Sequence, residues 1–319
     1  MSDAAGRCLI LSRGGRAATL AASALEGTDH VAGTVGYIGL GAMGGAMAGR
    51  LAGSGFDLVV FDLDAGAVAA VVDKGARAAA TAAELAAASE HISICVPDDA
   101  AVMEVVTGEL GILASCAPGT TIAVHSTVHP DTVRDLALLA GERGVALFDA
   151  GVAGGAAAAE IGDLSIMAGV PEEGLSATAR AVLECCGGAV FEAGPVGAGM
   201  AMKVAFNVMT YLQQAAVSAA YQIVVGQGSD PEQLLAAWRH VGQLGALSER
   251  FFPLVTMAPE TKVGEFGDFL AGNIYLAEKD LDLAIGLGLE SGRPMPVVEA
   301  TRQSMNLVYG MPGRGEGAG

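Results

Sequence analysis

The chain has 319 residues, 52% of them apolar and 16% charged, which suits one large or two ordinary domains with a sizeable core and excludes a disordered chain. Its 17 Lys and Arg against 35 Asp and Glu leave a formal charge of −18, without the basic footprint that a nucleic-acid binder needs. The 46 glycines follow no Gly-X-Y period, which excludes collagen, and the five cysteines include no CxxC pair, so neither a disulfide framework nor a structural zinc site is expected and a reducing cytoplasm fits.

Residues 1–33 carry Arg7, Arg13 and Arg16 but no continuous apolar block. They read as a loosely ordered N-terminal extension rather than a secretory signal. From residue 34 short apolar runs alternate with Ala-rich helical stretches. The strand runs are Val35–Ile38, Leu58–Phe61, Ile92–Val96, Thr121–Val124, Val145–Phe148 and Leu164–Met167. Helices are expected over Ala42–Ala52, Ala65–Asp73, Ala82–Ala88, Pro130–Glu142 and Pro171–Glu184. Strand, helix, strand at this spacing gives an α/β fold, a doubly wound parallel sheet covered on both faces, over residues 34–196. After Gly194-Pro195-Val196-Gly197 the strand runs stop. Helices over Ala198–Val225, Pro231–Val241, Ile274–Leu287 and Pro296–Val308 make an all-α C-terminal domain of residues 197–319. The stretch Val204–Ser229 is uncharged and long enough to cross a bilayer. It contains Asn207, Thr210, Gln213, Gln214, Ser218, Gln222 and Gln227, so it reads as a buried helix of a protein without membrane association, placed between domains or subunits of a homodimer or homotetramer.

Gly39-Leu40-Gly41-Ala42-Met43-Gly44 follows the first strand and opens a helix. Gly39 suits the tight turn, Gly41 admits a pyrophosphate to the backbone, and Gly44 lets helix and strand pack closely. Free N–H groups at the helix start then face the phosphates. Asp62 ends the second strand, 23 residues after Gly39. A carboxylate there can accept from the adenosine ribose and repels a 2′-phosphate, so NAD is expected over NADP. The other reading of Asp62 is an ordinary turn residue.

Only four lysines occur, Lys74, Lys203, Lys262 and Lys279, against 13 Arg. A Lys heading a long apolar helix can lose its proton where an Arg cannot, and desolvation lowers its pKa toward the range of proton transfer. Asn207 lies one turn further on the same face and can hold that amine. Helix pattern alone leaves open a boundary lysine that snorkels to water. His129 and His240 show no partner at metal spacing, and no metal is expected.

The loop and its helix, continued as Gly44-Gly45-Ala46-Met47-Ala48-Gly49-Arg50-Leu51, resemble the GxGxMGxxMAxxL signature of the β-hydroxyacid dehydrogenase family. Further segments resemble that family in the same order: Val96-Pro97, Ser126-Thr127, the substrate loop Asp149-Ala150-Gly151-Val152-Ala153-Gly154-Gly155, the helix Gly197–Asn207 and Lys279-Asp280-Leu281. The resemblance implies reversible oxidation of a small 3-hydroxy acid to its semialdehyde. It assigns Lys203 and Asn207 to catalysis, and Ser126, Gly154 and Gly155 to the substrate carboxylate. Gly39, Leu40, Gly41, Ala42, Met43, Gly44, Asp62, Val96, Pro97, Thr127 and Lys279 are assigned to the cofactor. Three positions depart from the family pattern: Gly151 stands where Pro is usual, Ala153 where Ser is usual, and His125 where an acid or Ser is common. A cofactor-binding scaffold or sensor without catalysis is the competing expectation.

Overall fold

The computed structural model describes residues 33–311, so the expected N-terminal extension lies outside it except for Gly33. Eight strands form one sheet in the order β3-β2-β1-β4-β5-β6-β7-β8. They are β1 (Val35–Ile38), β2 (Leu58–Phe61), β3 (Arg77–Ala78), β4 (His91–Ile94), β5 (Thr121–Val124), β6 (Ala146–Ala153), β7 (Leu164–Gly169) and β8 (Gly187–Gly194). Neighbours from β3 to β6 are parallel, with Val35 level with Leu58 on one side and His91 on the other. This is the Rossmann order, and the crevice between β1 and β4, where the winding reverses, is where such sheets bind ligands. Only β6 and β7 run antiparallel, and β8 is parallel to β7.

Seven helices accompany the sheet: α1 (Ala42–Gly53), α2 (Ala65–Val72), α3 (Ala82–Ala88), α4 (Asp99–Thr107), α5 (Pro130–Gly141), α6 (Ala156–Ile161) and α7 (Ala177–Cys186). Both sheet faces are covered, so strand residues are buried in continuous runs rather than alternately. Val35, Tyr37 and Val60 pack with Met47 and Leu51 of α1 on one face, whereas Ile38, Val59, Ile92 and Ile122 pack with Val102 of α4 and Leu136 of α5 on the other.

The helical region comprises α8 (Ala198–Gly226), α9 (Pro231–Val241), α10 (Ala246–Thr256), α11 (Gly264–Glu290), α12 (Pro296–Gln303) and α13 (Met305–Val308). A third apolar cluster joins Val204 and Val217 of α8 to Phe251 and Phe252 of α10, Leu270, Ile274 and Leu281 of α11, and Val298 and Met305 beyond. No helix among the described residues is long and apolar enough to cross a membrane.

Several elements differ from the sequence reading. Helix α4 was not expected; Asp98 caps it by accepting from the Ala101 N–H at 2.9 Å. Helix α7 starts at Ala177 rather than Pro171, because Ser176 accepts from the Ala179 N–H and sets the first turn. Helix α10 was hidden by Pro253 in its interior, which removes one backbone donor. Helix α11 begins ten residues before Ile274, at Gly264. Between α12 and α13 the Ser304 hydroxyl donates to the Ala300 carbonyl at 2.7 Å and interrupts what periodicity reads as one helix. Strand β8 is a largely exposed edge strand with glycines at both ends, which weakens its apolar signal.

Candidate active site in the cleft between sheet and helices

The glycine loop joins β1 to α1. Gly39 has φ +89°, and a side chain there would collide with the Cys95 carbonyl at the end of β4. A Cβ on Gly44 would collide with the Gly39 carbonyl, so this glycine lets α1 start directly on the strand. Gly41 is exposed and a Cβ there would meet nothing within 4 Å. Gly41 also offers no side-chain cap to α1, and Ala42 and Met43 follow with the first-turn amides. Uncapped amides beside open space form the cradle that a dinucleotide phosphate fits.

Asp62 bonds back to this loop. Its Oδ2 accepts from the Leu40 N–H at 2.5 Å and its Oδ1 from the Asp64 N–H at 2.8 Å. The turn role and a ribose role are compatible, because each carboxylate oxygen keeps a second lone pair. Val96 stands next to the loop: its N–H donates to Ser126 Oγ at 2.8 Å, tying the end of β4 to the end of β5. Pro97 is exposed at the same rim.

Behind Ser126 lies a buried polar chain. His125 Nδ1 faces the Ala150 carbonyl at 2.8 Å, which can only accept, so Nδ1 carries the proton and Nε2 accepts from Ser93 at 3.1 Å. Ser93 then accepts from His91 Nε2 at 3.4 Å, and His91 Nδ1 accepts from the Thr121 hydroxyl at 2.8 Å. Burial holds both rings neutral, His125 at about 4 and His91 at about 3, with the two rings adding mutual disfavour at His91.

The lysine lies on α8. Asp149 at the middle of β6 receives the Gly197 N–H on Oδ1 at 2.7 Å and the Met200 N–H on Oδ2 at 2.6 Å, and so caps α8. Lys203, one turn in, is 8% exposed. Its Nζ donates to Asn207 Oδ1 at 2.8 Å. The orientation of that amide is dictated by Asp280 of α11, whose Oδ2 accepts from Asn207 Nδ2 at 2.6 Å and from the Tyr211 hydroxyl at 3.2 Å. A carboxylate only accepts, so the NH₂ group must face Asp280 and the amide oxygen must face the lysine. Burial lowers the Lys203 pKa to about 8; the Asp280 charge opposes the shift and the Lys279 charge adds to it.

Lys279 closes the network. Its Nζ lies 2.9 Å from Asp280 Oδ1 as an ion pair and donates to the Thr127 carbonyl at 2.5 Å, reaching from α11 to the β5–α5 turn. Thus Val96, Ser126, Thr127, Lys279, Asn207 and Lys203 are linked through Asp280 by a short series of contacts between the sheet and the helices. Gly154 and Gly155 sit beyond Gly151 at the turn into α6, with φ of +134° and +82°, and the hydrogen bonds of the network do not reach them.

Asp280 and Tyr211 were absent from the expected site. Asp280 had a signal: it shares the buried face of α11 with Ala277, Leu281 and Ala284, where a solvated acid would be out of place. His129, Asp131 and Glu290 are the described residues whose ligand atoms cluster at metal spacing. The Glu290 carboxylate lies 3.3 Å from His129 Nε2, and Asp131 is already paired with Arg134. The cluster therefore reads as a contact between α5 and α11.

Residues 34–194 match the family described as the NAD binding domain of 6-phosphogluconate dehydrogenase. The chain is 34% identical over 280 residues to a probable mitochondrial 3-hydroxyisobutyrate dehydrogenase of Dictyostelium discoideum, covering 86% of this chain and 85% of the relative. It is 35% identical over 273 residues to 2-(hydroxymethyl)glutarate dehydrogenase of Eubacterium barkeri, covering 84% and 87%. A solved structure of Mycobacterium tuberculosis 3-hydroxyisobutyrate dehydrogenase with L-serine superposes with a TM-score of 0.70 at 26% identity, covering 86% of this chain and 92% of that one. The glycine cradle, the strand order and these relatives converge: the chain belongs to the β-hydroxyacid dehydrogenase family of NAD-binding oxidoreductases.

Proposed function

We propose that the protein interconverts a small 3-hydroxy carboxylic acid and its semialdehyde, with NAD preferred over NADP and Lys203 as general acid and base. The observation that carries this reading is the buried Lys203 amine, held by Asn207 and poised at about 8. A bound nicotinamide would supply hydride acceptance or donation. Gly39, Leu40, Gly41, Ala42, Met43 and Gly44 would hold its pyrophosphate, Asp62 its ribose, and Val96, Pro97, Thr127 and Lys279 would line the approach to its reactive end.

In oxidation the neutral Lys203 amine takes the proton from the substrate hydroxyl as the carbon–oxygen bond gains carbonyl character. In reduction the ammonium steadies the developing oxyanion and then returns the proton. Asn207 directs one amine hydrogen away from the substrate, which leaves the lone pair free to face it. Ser126 and the N–H groups of Gly154 and Gly155 hold the substrate carboxylate. The names of the relatives share one chemistry, a hydroxymethyl group bonded directly to the carbon that bears a carboxylate. Ala153 removes the hydroxyl that the family pattern has in this loop, which favours substrates with an apolar or small substituent at that edge.

Lys203→Ala is expected to keep NAD binding and to lose about 10²–10⁴-fold in kcat, the usual worth of a positioned acid/base. Turnover within a few-fold of the parent, on a panel of 3-hydroxy acids, would remove Lys203 from the chemistry. The competing scaffold reading draws on Ala153 and requires NAD binding without turnover on any acid of that panel. The division into residues 34–196 and 197–319 is proposed to separate cofactor binding from substrate closure and assembly. Exposed apolar residues on α8, Met209 and Ile223 among them, favour a homodimer or homotetramer, which light scattering of the purified chain would measure. A reducing cytoplasm is proposed as its location from the odd cysteine count and the lack of a CxxC pair in the sequence.

A further inference from the structure

The stem of Lys203 lies directly over Gly151 of β6. A Cβ built on Gly151 would lie 2.7 Å from Lys203 Cβ and 2.9 Å from its Cγ. These are the stiff, backbone-proximal atoms of the side chain, so a rotamer change cannot relieve the contact. Ordinary carbon–carbon contacts lie at about 3.5–4.0 Å. An added methyl must therefore push α8 and β6 apart by about 1 Å at this level.

The helix cannot yield by sliding as a whole. One turn earlier Asp149 grips the Gly197 and Met200 amides. On the next strand a Cβ at Gly199 would meet the Met167 carbonyl at 2.5 Å and the Gly169 nitrogen at 2.6 Å, so the first turn of α8 already lies against the β7 backbone. Pinned there, α8 can only rock outward about its first turn, and the part that lifts carries Lys203 and Asn207. The position that resembling sequences fill with Pro is here a residue with no side chain at all.

We propose that Gly151 is a positioning residue that sets the depth of the Lys203 amine in the cleft by letting α8 seat on the bare backbone of β6. This inference rests on the catalytic reading of Lys203 for its effect on turnover, but the seat itself is a property of the fold and can be measured without activity. Lifting the amine by about 1 Å is the scale of misplacement that costs up to about 10²-fold in rate. It also returns water to the amine and so raises its pKa.

The test compares Gly151→Ala with the parent by three readings: the pH dependence of kcat/KM in the oxidation direction, the pH midpoint of Lys203 acylation followed by peptide mass spectrometry, and the NAD dissociation constant. Expected are a 10- to 100-fold loss that falls on kcat more than KM, an alkaline move of both the rate limb and the labelling midpoint, and NAD binding within about twofold, since the glycine cradle is on another element. Asp149→Asn loosens the same seat from the other side by removing the acceptor for the Met200 amide; it should move the labelling midpoint the same way even if Gly151→Ala does not fold. Unchanged labelling midpoints in both variants overturn the proposal. An active Lys203→Ala enzyme would overturn only the catalytic reading, and the labelling result would still decide the seat.

Discussion

Lys262 is 4% exposed, more buried than Lys203, yet its Nζ donates to the Tyr309 carbonyl at 2.9 Å and serves the C-terminal end of α13. Scarcity of lysine therefore did not by itself single out the amine proposed for catalysis; what separates the two is the partner. Burial lowers the pKa of both amines and both donate to a carbonyl oxygen, but the Lys262 acceptor is backbone at the end of α13, whereas the Lys203 acceptor is a side-chain amide backed by Asp280. That backing gives a prediction. The Asp280 charge favours the ammonium form, so Asp280→Asn should lower the Lys203 pKa below about 8 and shift the rising limb of kcat/KM to lower pH, the direction opposite to Gly151→Ala. The pH profile of the variant, with kcat reduced about tenfold through the loosened Asn207 amide, checks it. At Asp62 both the loop and the cofactor are at stake. Asp62→Ala removes the acceptor of the Leu40 amide, and NAD affinity should fall about tenfold or more, the worth of a charged hydrogen bond. The NAD to NADP preference should narrow, because a carboxylate no longer repels the 2′-phosphate; equal preference ratios in parent and variant would refute the selectivity argument.

At the level of elements, the loop between β1 and α1 makes two glycines experimentally separable. Gly44→Ala places a methyl into the Gly39 carbonyl and should destabilise the fold by several kcal/mol or prevent it, the usual scale of overpacking and strain. Gly41→Ala points into open space; it should leave Tm within a few degrees and weaken NAD binding by tenfold or more, read by calorimetry beside a melting curve. The strands β4, β5 and β6 are joined by the His91–Ser93–His125–Ala150 chain, whose rings are neutral in the fold. Their folded pKa values, about 3 and about 4, lie below the ordinary 6.5, so the unfolded chain binds protons that the fold does not. The stability this contributes is complete above about pH 6.5 and is lost as pH falls from there toward 4. The urea midpoint should drop between pH 7 and 5, and His125→Asn should flatten that slope; parallel slopes would show that the rings do not titrate on unfolding. The glycine loop was legible because its chemistry is local: a strand, a turn that only glycine allows, and a helix within ten residues. The histidine chain was not, since its members lie about 30 residues apart and meet only when β4, β5 and β6 pair.

At the level of the whole molecule, the charge of −18 opposes an anionic cofactor, so the proposed cradle would work through local amides. Association of NAD should then quicken or stay level as salt rises toward 0.15 M, where the Debye length is about 8 Å; a steep decline in stopped-flow rate would reveal a basic funnel instead. The helical region is tied to the sheet domain by the Lys279–Thr127 hydrogen bond and by the contact of His129 with Glu290, both joining α11 to the β5–α5 region. By itself the amino-acid sequence determined the parallel sheet, the dinucleotide loop, the long α8 and the lysine with its asparagine, since each is written in periodicity or in short spacing along one element. Tertiary structure alone decided that Asp280 orients Asn207, that Asp149 pins α8, and that Gly151 is the surface on which Lys203 rests. Those contacts join residues 48 to 73 positions apart, and a pair so distant leaves no local pattern: its energy exists only once the sheet and helices have brought the two groups within reach.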